Sequence, residues 1–330
     1  MKTPRFWSSN NIISYILIPL SWVYLIATKI DGFFTKKTKI NKTVICIGNL
    51  IAGGSGKTPT AIAIGKIVKN LINKKFVYLT RGYKGEKQEF LSVNQALKQL
   101  TKVSDEAILL NEVAKTFMAS NRAFGAKKIE QMKEAEIIIL DDGLQNNNLS
   151  KDIKIIVIDG FVAFGNCKLI PAGPLRQNIR SGLGIADLVI IINEINDENL
   201  NLIKKNYQGK IIFAKTICKN LELFDNNKNY LAFCGLAYPD KFFNFLTKQN
   251  LSLIKKINFA DHHYYSNEEL KKLITTAEKQ NCQLITTKKD WVKFPSSYQK
   301  IINYLDIEVE FVDQDIQYIK SLISNTISRK

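Results

Sequence analysis

Short apolar runs rich in β-branched residues recur along the chain and alternate with helical patterns. The clearest runs cover residues 44–48, 76–80, 137–140, 153–159, 188–193, 211–214, 230–234 and 284–287. Because these runs are apolar throughout, they indicate strands buried on both faces of a parallel sheet. Apolar residues at 107, 110, 113, 114, 117 and 118 follow helical spacing and predict one helical stripe. The alternation predicts an α/β fold with a doubly wound, mostly parallel sheet.

The N-terminal segment is uncharged from residue 12 to residue 28. A helix of this length reaches about 25 Å, slightly less than the ~30 Å hydrocarbon core of a bilayer. Basic residues flank it at positions 2, 5, 29, 36, 37 and 39, and no small-residue cleavage site follows it. We expect a membrane-anchor or interfacial helix with the rest of the chain on the cytoplasmic face; a buried helix of a soluble protein is the alternative.

Three regions follow from these patterns. Residues 1–39 form the predicted anchor and its basic flank, and residues 40–225 form the main α/β core. The polar stretch 225–229 precedes a new strand and marks the expected boundary of a smaller α/β domain, residues 226–330, which we expect to close over the active site.

Composition places the chain among ordinary globular proteins, but its charge is unusual. The 330 residues are 45% apolar, and 47 Lys and Arg against 30 Asp and Glu give a net charge of +17. Lys supplies most of this charge, and Asn is abundant as well. The positive charge has three possible explanations: coding bias, binding to an anionic membrane surface, or binding to nucleic acid. No aromatic–basic motif supports nucleic acid. The five Cys contain no C-x-x-C pair, which argues against a disulfide framework or zinc site.

A phosphate-binding loop is the strongest chemical signal. The strand at 44–48 leads into a glycine-rich segment and then into a helical pattern. Glycines let backbone N–H groups surround phosphate oxygens, and the helix N-terminus adds positive potential. The strict pattern has Gly where this chain has Ile51. We predict that a nucleoside triphosphate is bound by Gly53, Gly54, Ser55, Gly56, Lys57 and Thr58, and that the Thr58 hydroxyl also binds Mg²⁺.

Two acidic pairs are candidates for metal binding and base chemistry. Asp141 and Asp142 end an apolar strand, as the magnesium-binding acid does in nucleotide-binding proteins; a simple turn is the alternative. Asp105 and Glu106 begin a predicted helix after Ser104, where acids are also common for dipole reasons.

The chain has two histidines, and they are adjacent. His262 and His263 follow Asp261 and precede a capping box at Ser266 and Glu269. This spacing predicts that both histidines lie on a loop before a helix. A histidine on such a loop either projects into a cleft or is exposed to solvent.

Taken in order, these segments resemble the tetraacyldisaccharide 4′-kinase family. The resemblance rests on Gly48-Asn49-Leu50 with the phosphate loop, Arg81-Gly82-Tyr83, the acids at 105–106, Arg122, the string 141–145 and the string 171–176. Phe242-Phe243, the string 261–263 and the string 287–290 complete it. It covers nearly the whole chain. Asn146 and Gln177 stand where the family often has a His and a Glu.

The resemblance implies an inner-membrane enzyme that transfers the ATP γ-phosphate to the 4′-hydroxyl of tetraacyldisaccharide 1-phosphate. Its partners are this glycolipid and the membrane surface, with no nucleic acid and no protein partner expected. Asp105 matches the base, His262 its helper, and Lys57 and Glu106 complete the expected catalytic set. Asp141 and Asp142 match the Mg²⁺-binding acids. The expected substrate-binding residues are Asn49, Arg81, Tyr83, Arg122, Gln145 and Arg176.

Two competing hypotheses remain at this point. One is a membrane-associated P-loop ATPase that drives the cycling of a partner, although Ala52 occupies the position where partition-type ATPases commonly have Lys. The other is a nucleic-acid-binding NTPase, motivated by the charge alone.

Overall fold

The structure is a computed structural model that describes residues 4–81, 90–98 and 103–330. Two compact units are present. The larger contains Pro4–Thr216 and Val309–Lys330, and the smaller contains Ile217–Glu308. The last twenty-odd residues thus belong with the larger unit, whereas the sequence pattern placed them in the smaller domain. The prediction that the smaller domain closes over the active site stays a prediction.

The strands lie close to their predicted positions. In chain order they are β1 Thr43–Gly48, β2 Phe76–Thr80, β3 Leu91–Ser92, β4 Thr116–Met118, β5 Ile137–Asp141, β6 Ile153–Asp159, β7 Leu188–Ile192, β8 Ile211–Cys218, β9 Asn229–Cys234, β10 Ser252–Asn258, β11 Gln283–Thr287, β12 Asn303–Leu305 and β13 Ile307–Glu310.

The α-helices alternate with the strands. They are α1 Ile12–Ile16, α2 Ile18–Phe34, α3 Lys57–Ile67, α4 Val93–Lys98, α5 Asp105–Asn111, α6 Arg122–Gln131, α7 Ile179–Leu183, α8 Asp197–Asn206, α9 Pro239–Lys248, α10 Asn267–Lys279, α11 Lys288–Trp291, α12 Ser296–Gln299 and α13 Asp313–Ser328. The predicted helical stripe through residue 118 is wrong. Helix α5 ends at Asn111, and residues 116–118 instead pair with β2 as strand β4.

The larger unit is built on a mostly parallel sheet, as predicted. Among the described residues its strand order is β13-β8-β7-β6-β1-β5-β2-β4-β3, with β3 antiparallel to β4. Strand β1 lies between β5 and β6, parallel to both, and its residues Val44 to Ile47 are fully buried. Apolar clusters cover both faces of the sheet. Strands β2 to β5 lie on one side of β1, and β6, β7, β8 and β13 lie on the other. The order therefore reverses at β1, and the carboxyl end of β1 is the expected binding position of such a sheet.

The smaller unit has its own core. Four strands in the order β10-β9-β11-β12 pair in parallel. Apolar residues on both faces, including Phe243 and Leu270, form two clusters with helices α9 and α10.

The N-terminal apolar segment is two helices rather than one. Asn11 caps α1 in a capping box with Ser14, and α2 begins after Leu17. Within residues 4–81, 90–98 and 103–330, the structure contains no helix with both the length and the apolarity to cross a bilayer. The predicted N-terminal membrane helix is therefore not supported as a span of the bilayer. Side-chain hydrogen bonds hold α2 to the body, from the Ser21 hydroxyl to Leu169 O (2.8 Å) and from Tyr24 to Arg176 O (3.1 Å).

Candidate active site

The glycine-rich loop lies between β1 and α3, in the predicted strand–loop–helix order. Gly56 has a left-handed backbone (φ +77°) immediately before α3, and Gly53 has φ +109°. A Cβ added to Gly54 would meet nothing within 4 Å, so the loop leaves open space beside its backbone. This space and the free N–H groups at the start of a helix suit an anionic ligand.

Asn49 organises this loop from inside. Its side chain is fully buried, and its amide donates to Ile51 O (2.8 Å) and to the Ser55 hydroxyl (2.6 Å). Gln145 donates in turn to Asn49 O (2.9 Å). These contacts assign both side chains to the support of the loop, while their predicted contact with substrate stays a prediction.

Ile51, which departs from the strict loop pattern, takes part in an isolated β-bridge. It forms an antiparallel bridge with Leu175, flanked by hydrogen bonds from Ala52 N to Pro174 O (2.8 Å) and from Arg176 N to Leu50 O (2.8 Å). An extended, paired backbone is open to any residue, so glycine is not needed here. The same pairing brings Arg176 to the loop.

The two acids after β5 have different partners. Asp141 is 3% exposed, and the Thr58 hydroxyl donates to its carboxylate (2.8 Å). Asp142, with a left-handed φ of +54°, accepts from the Arg176 guanidinium (2.8 Å) and lies 3.8 Å from Lys57 Nζ. Thus Asp141 shares an oxygen-rich position with Thr58, while Asp142 forms ion pairs with two cations.

The charges of this cluster perturb one another. Burial lowers the pKa of the Lys57 ammonium, and the Asp142 carboxylate opposes this effect without cancelling it. Burial would raise the pKa of Asp142, but Lys57 and Arg176 prevail and lower it. More than a third of the Asp142 side chain is exposed at the rim, and its two close cations hold its pKa below the usual range. Perturbed, opposed charges of this kind are typical of functional sites.

Asp105 and Glu106 lie in the first turn of α5, as predicted. The Ser104 hydroxyl caps this helix by accepting from Ala107 N (3.3 Å), and Asp105 is 2% exposed. The Glu106 charge raises the pKa of Lys57, which places Glu106 within electrostatic range of the phosphate loop. The catalytic roles of both acids stay predictions.

Arg122 is an unusually buried cation. It is 4% exposed, its guanidinium donates to Ala119 O (3.3 Å), and its Nε has no hydrogen-bond partner within the described chain. Burial lowers its pKa to about 10, and the Arg81 charge acts in the same direction, while Asp142 opposes it. Arg122 therefore stays positive at neutral pH beside the acid pair. Tyr83, a predicted substrate residue, lies outside the described residues.

The smaller unit places His262 and His263 before α10, as predicted, and the capping box of Ser266 and Glu269 is confirmed. His262 has a left-handed backbone (φ +58°) and a side chain that is 46% exposed. Its Nε2 is 3.8 Å from Asp261 Oδ2 and 3.5 Å from Lys289 Nζ.

Comparison with known proteins gives a consistent result. The family model described as LpxK, tetraacyldisaccharide-1-P 4′-kinase, matches residues 13–327. A tetraacyldisaccharide 4′-kinase of Rickettsia canadensis is 36% identical over 307 residues, covering 93% of this chain and 92% of that protein. The Rickettsia bellii protein of that name is 35% identical over 317 residues, covering 96% and 97%.

A solved structure shares the fold. The crystal structure of the "apo" form of LpxK from Aquifex aeolicus, in complex with ATP, superposes with a TM-score of 0.71 at 23% identity. The match covers 96% of this chain and all of that one.

Proposed function

The chain belongs to the tetraacyldisaccharide-1-P 4′-kinase family, and from this membership we infer its reaction. It transfers the γ-phosphate of ATP to the 4′-hydroxyl of tetraacyldisaccharide 1-phosphate, giving a 1,4′-bisphosphate in lipid A biosynthesis. The observation that carries this function is the family match across residues 13–327, joined to a phosphate loop in its proper structural setting.

The phosphate loop fits ATP, which supplies the transferred phosphoryl group when bound. The space beside Gly54 accommodates phosphate oxygens close to the backbone, and the left-handed Gly56 directs the chain into α3. Lys57 begins this helix and places its ammonium near the acid pair. We assign Lys57 to the outer phosphates of ATP, where its charge favours the developing negative charge.

Thr58 and Asp141 are the residues that would hold a divalent cation. Hydroxyl and carboxylate oxygens are the ligands that Mg²⁺ prefers, and these two are already 2.8 Å apart. When bound, Mg²⁺ would neutralise phosphate charge. We assign Asp141 rather than Asp142 to the metal, because Asp142 is engaged by Arg176 and Lys57.

Asp105 is the proposed acceptor of the 4′-hydroxyl proton, with Glu106 and His262 in support. A carboxylate that accepts a hydrogen bond from the hydroxyl orients it for attack, and general-base help contributes roughly 10²–10⁴-fold. The support for this assignment is the family resemblance and the burial of Asp105 at a helix start.

The acceptor carries a phosphate and acyl chains, and the larger unit offers surfaces for both. The buried Arg122, with Arg81 in its electrostatic range, provides positive charge near the acid pair. A groove of about 410 Å³ follows α2 and is lined by Ile18, Trp22, Leu169, Leu175, Lys168 and Arg180. We propose that acyl chains lie against its apolar part.

We also propose that α1 and α2 lie on the cytoplasmic surface of the inner membrane. Large apolar side chains on these helices are exposed, among them Ile12 (78%), Phe33 (86%) and Phe34 (79%). An exposed apolar helix face with basic neighbours is typical of an interfacial helix. The net charge of +17 suits an anionic surface.

Vesicle flotation tests this localisation. The double variant Phe33→Ser/Phe34→Ser should bind vesicles of anionic phospholipid several-fold more weakly than the unmodified protein. Leu223→Ser is the matched control, since Leu223 is also exposed (73%) but lies in the smaller unit. Equal binding by all three proteins would contradict the proposal.

The reaction is tested directly with ATP, Mg²⁺ and tetraacyldisaccharide 1-phosphate, with the product analysed for a 4′-phosphate. Asp105→Ala should reduce turnover by roughly 10²-fold or more while ATP binding is retained. Asp197→Ala is its control, because Asp197 is an acid in the first turn of α8. Normal turnover by Asp105→Ala would exclude Asp105 as the base. ATP hydrolysis stimulated by a partner protein, without lipid phosphorylation, would favour the ATPase hypothesis instead.

A further inference from the structure

The smaller unit treats its two adjacent histidines differently. The His263 ring stacks on Phe259 (centroids 4.8 Å apart) and meets Tyr265 edge-on (4.8 Å). Its Nε2 lies 3.0 Å from the Glu269 carboxylate, which also accepts from Ser266 N (2.9 Å) as the capping box of α10. His263 is therefore packed into the unit, whereas almost half of the His262 side chain is exposed.

The backbone at His262 requires support. Its φ of +58° lies in the left-handed region, which is uncommon outside glycine and persists where neighbouring contacts hold it. His262 N donates to Gly235 O (3.2 Å), and His263 N donates to Ala260 O (3.1 Å). The turn at 260–263 is thus fixed against the end of β9.

A buried ion pair holds both sides of this turn. Asp290 is fully buried and accepts from Lys293 Nζ (2.9 Å), whose side chain is 4% exposed. Lys293 also donates to His263 O (2.9 Å), and Asp290 also accepts from Gly235 N (2.9 Å) and the Thr287 hydroxyl (2.8 Å). The pair thereby joins the carbonyl of His263 to Gly235, the residue after β9 whose carbonyl accepts from His262 N.

We propose that Asp290 and Lys293 are positioning residues for His262. They fix the turn so that the His262 ring is presented in one orientation. This inference rests on the proposed function, in which His262 assists the reaction. A buried ion pair is weak evidence for stability, and fixing one conformation is a role that such pairs have in some proteins.

A substitution at Gly235 would disturb the same turn independently of the ion pair. A Cβ added there would lie 3.0 Å from Ala260 O, 3.0 Å from Asp290 Oδ1 and 3.2 Å from His263 Cβ. Gly235→Ala therefore presses on the turn while both members of the ion pair remain. It keeps the test open if Lys293→Met does not fold.

The experiment measures the full-length protein by NMR and by kinetics. The chain has two histidines, so its imidazole Cε1–H region should contain two signals, assigned with His262→Gln. In Lys293→Met and Gly235→Ala we expect the His262 signal to shift or split and kcat to fall roughly 10-fold or more. KM for ATP should stay within about twofold, since neither change touches the phosphate loop.

Lys219→Met is the matched control, because Lys219 also forms an ion pair in this unit, with Glu308 (3.1 Å), but is half-exposed. It should leave the His262 signal and kcat unchanged. A folded Lys293→Met protein with unmodified kcat and an unmoved His262 signal would overturn the proposal. If the unmodified protein has no kinase activity, a moved His262 signal in the variants would still support the positioning role, and the proposed function would be contradicted instead.

Discussion

Gly56 offers a quantitative test of the phosphate loop. The residue lies immediately before α3 with φ +77°, in the left-handed region of backbone conformation that residues other than glycine rarely adopt. A Cβ placed there would lie 2.6 Å from Ile192 Cδ1, while the next atom, Ile192 Cγ1, is 3.9 Å away. The substitution Gly56→Ala therefore introduces backbone strain and one close contact with the end of a flexible side chain.

The two effects are separable in size. Left-handed backbone costs an L-residue roughly 1–2 kcal/mol, and displacing the Ile192 methyl group adds about 1 kcal/mol. The sum of about 2–3 kcal/mol should lower the thermal midpoint of the nucleotide-free protein by roughly 4–12 °C. ATP binding should weaken as well, because the same residue directs the loop into α3.

Differential scanning calorimetry of four variants checks this reasoning. Gly54→Ala is the control and should change the midpoint little, since its Cβ meets nothing within 4 Å. In an Ile192→Val background, which lacks Cδ1, the loss from Gly56→Ala should shrink by about 1 kcal/mol. Equal midpoints for Gly56→Ala and Gly54→Ala would refute the strain argument. An equal loss in both backgrounds would refute the steric part.

Three further predictions concern the charged cluster. Lys57→Met should abolish turnover yet raise or preserve the thermal midpoint without nucleotide, because burial lowers the pKa of Lys57 and so opposes its charged form; a lower midpoint would contradict this. Since the pKa of Asp142 is lowered, its ion pair with Arg176 stabilises the fold above the ordinary Asp pKa of about 3.9 and is lost as pH falls below it. Urea denaturation should accordingly show an advantage of ~1 kcal/mol or less over Asp142→Asn that is constant from pH 8 to 5, declines below pH 5 and is lost as pH falls through the lowered pKa of Asp142. Thr58→Val removes the hydroxyl beside Asp141 and should raise the Mg²⁺ concentration for half-maximal turnover at least several-fold; an unchanged titration would remove Thr58 from the metal site.

The sequence by itself determined the elements whose signals are local. Buried parallel strands are apolar throughout, so β1, β5 and β7 were predicted close to their observed bounds. Glycines before a helical pattern identified the phosphate loop, and the hydroxyl of Ser104 marked the start of α5. Each of these signals lies within a few residues and needs no partner from elsewhere in the chain.

The tertiary structure decided the matters that depend on distant partners. Helical spacing extended falsely to residue 118 because strand β4 is defined by its pairing with β2, about forty residues away. Two adjacent acids look alike in sequence, yet Asp141 accepts a hydrogen bond from Thr58 and Asp142 forms an ion pair with Arg176. The two histidines are likewise distinguished by their contacts.

Ile51 and the N-terminal helices illustrate the same division. An isoleucine in a glycine position is explained by its bridge to Leu175, more than a hundred residues later. The apolar segment after Asn11 predicted one continuous anchor, whereas a break at Leu17 and hydrogen bonds from α2 to residues 169 and 176 make it two helices held on the protein. Local sequence fixes backbone preference and hydrophobic pattern. Which side chain contacts which partner depends on folding that brings distant segments together, so these contacts are seen only in the tertiary structure.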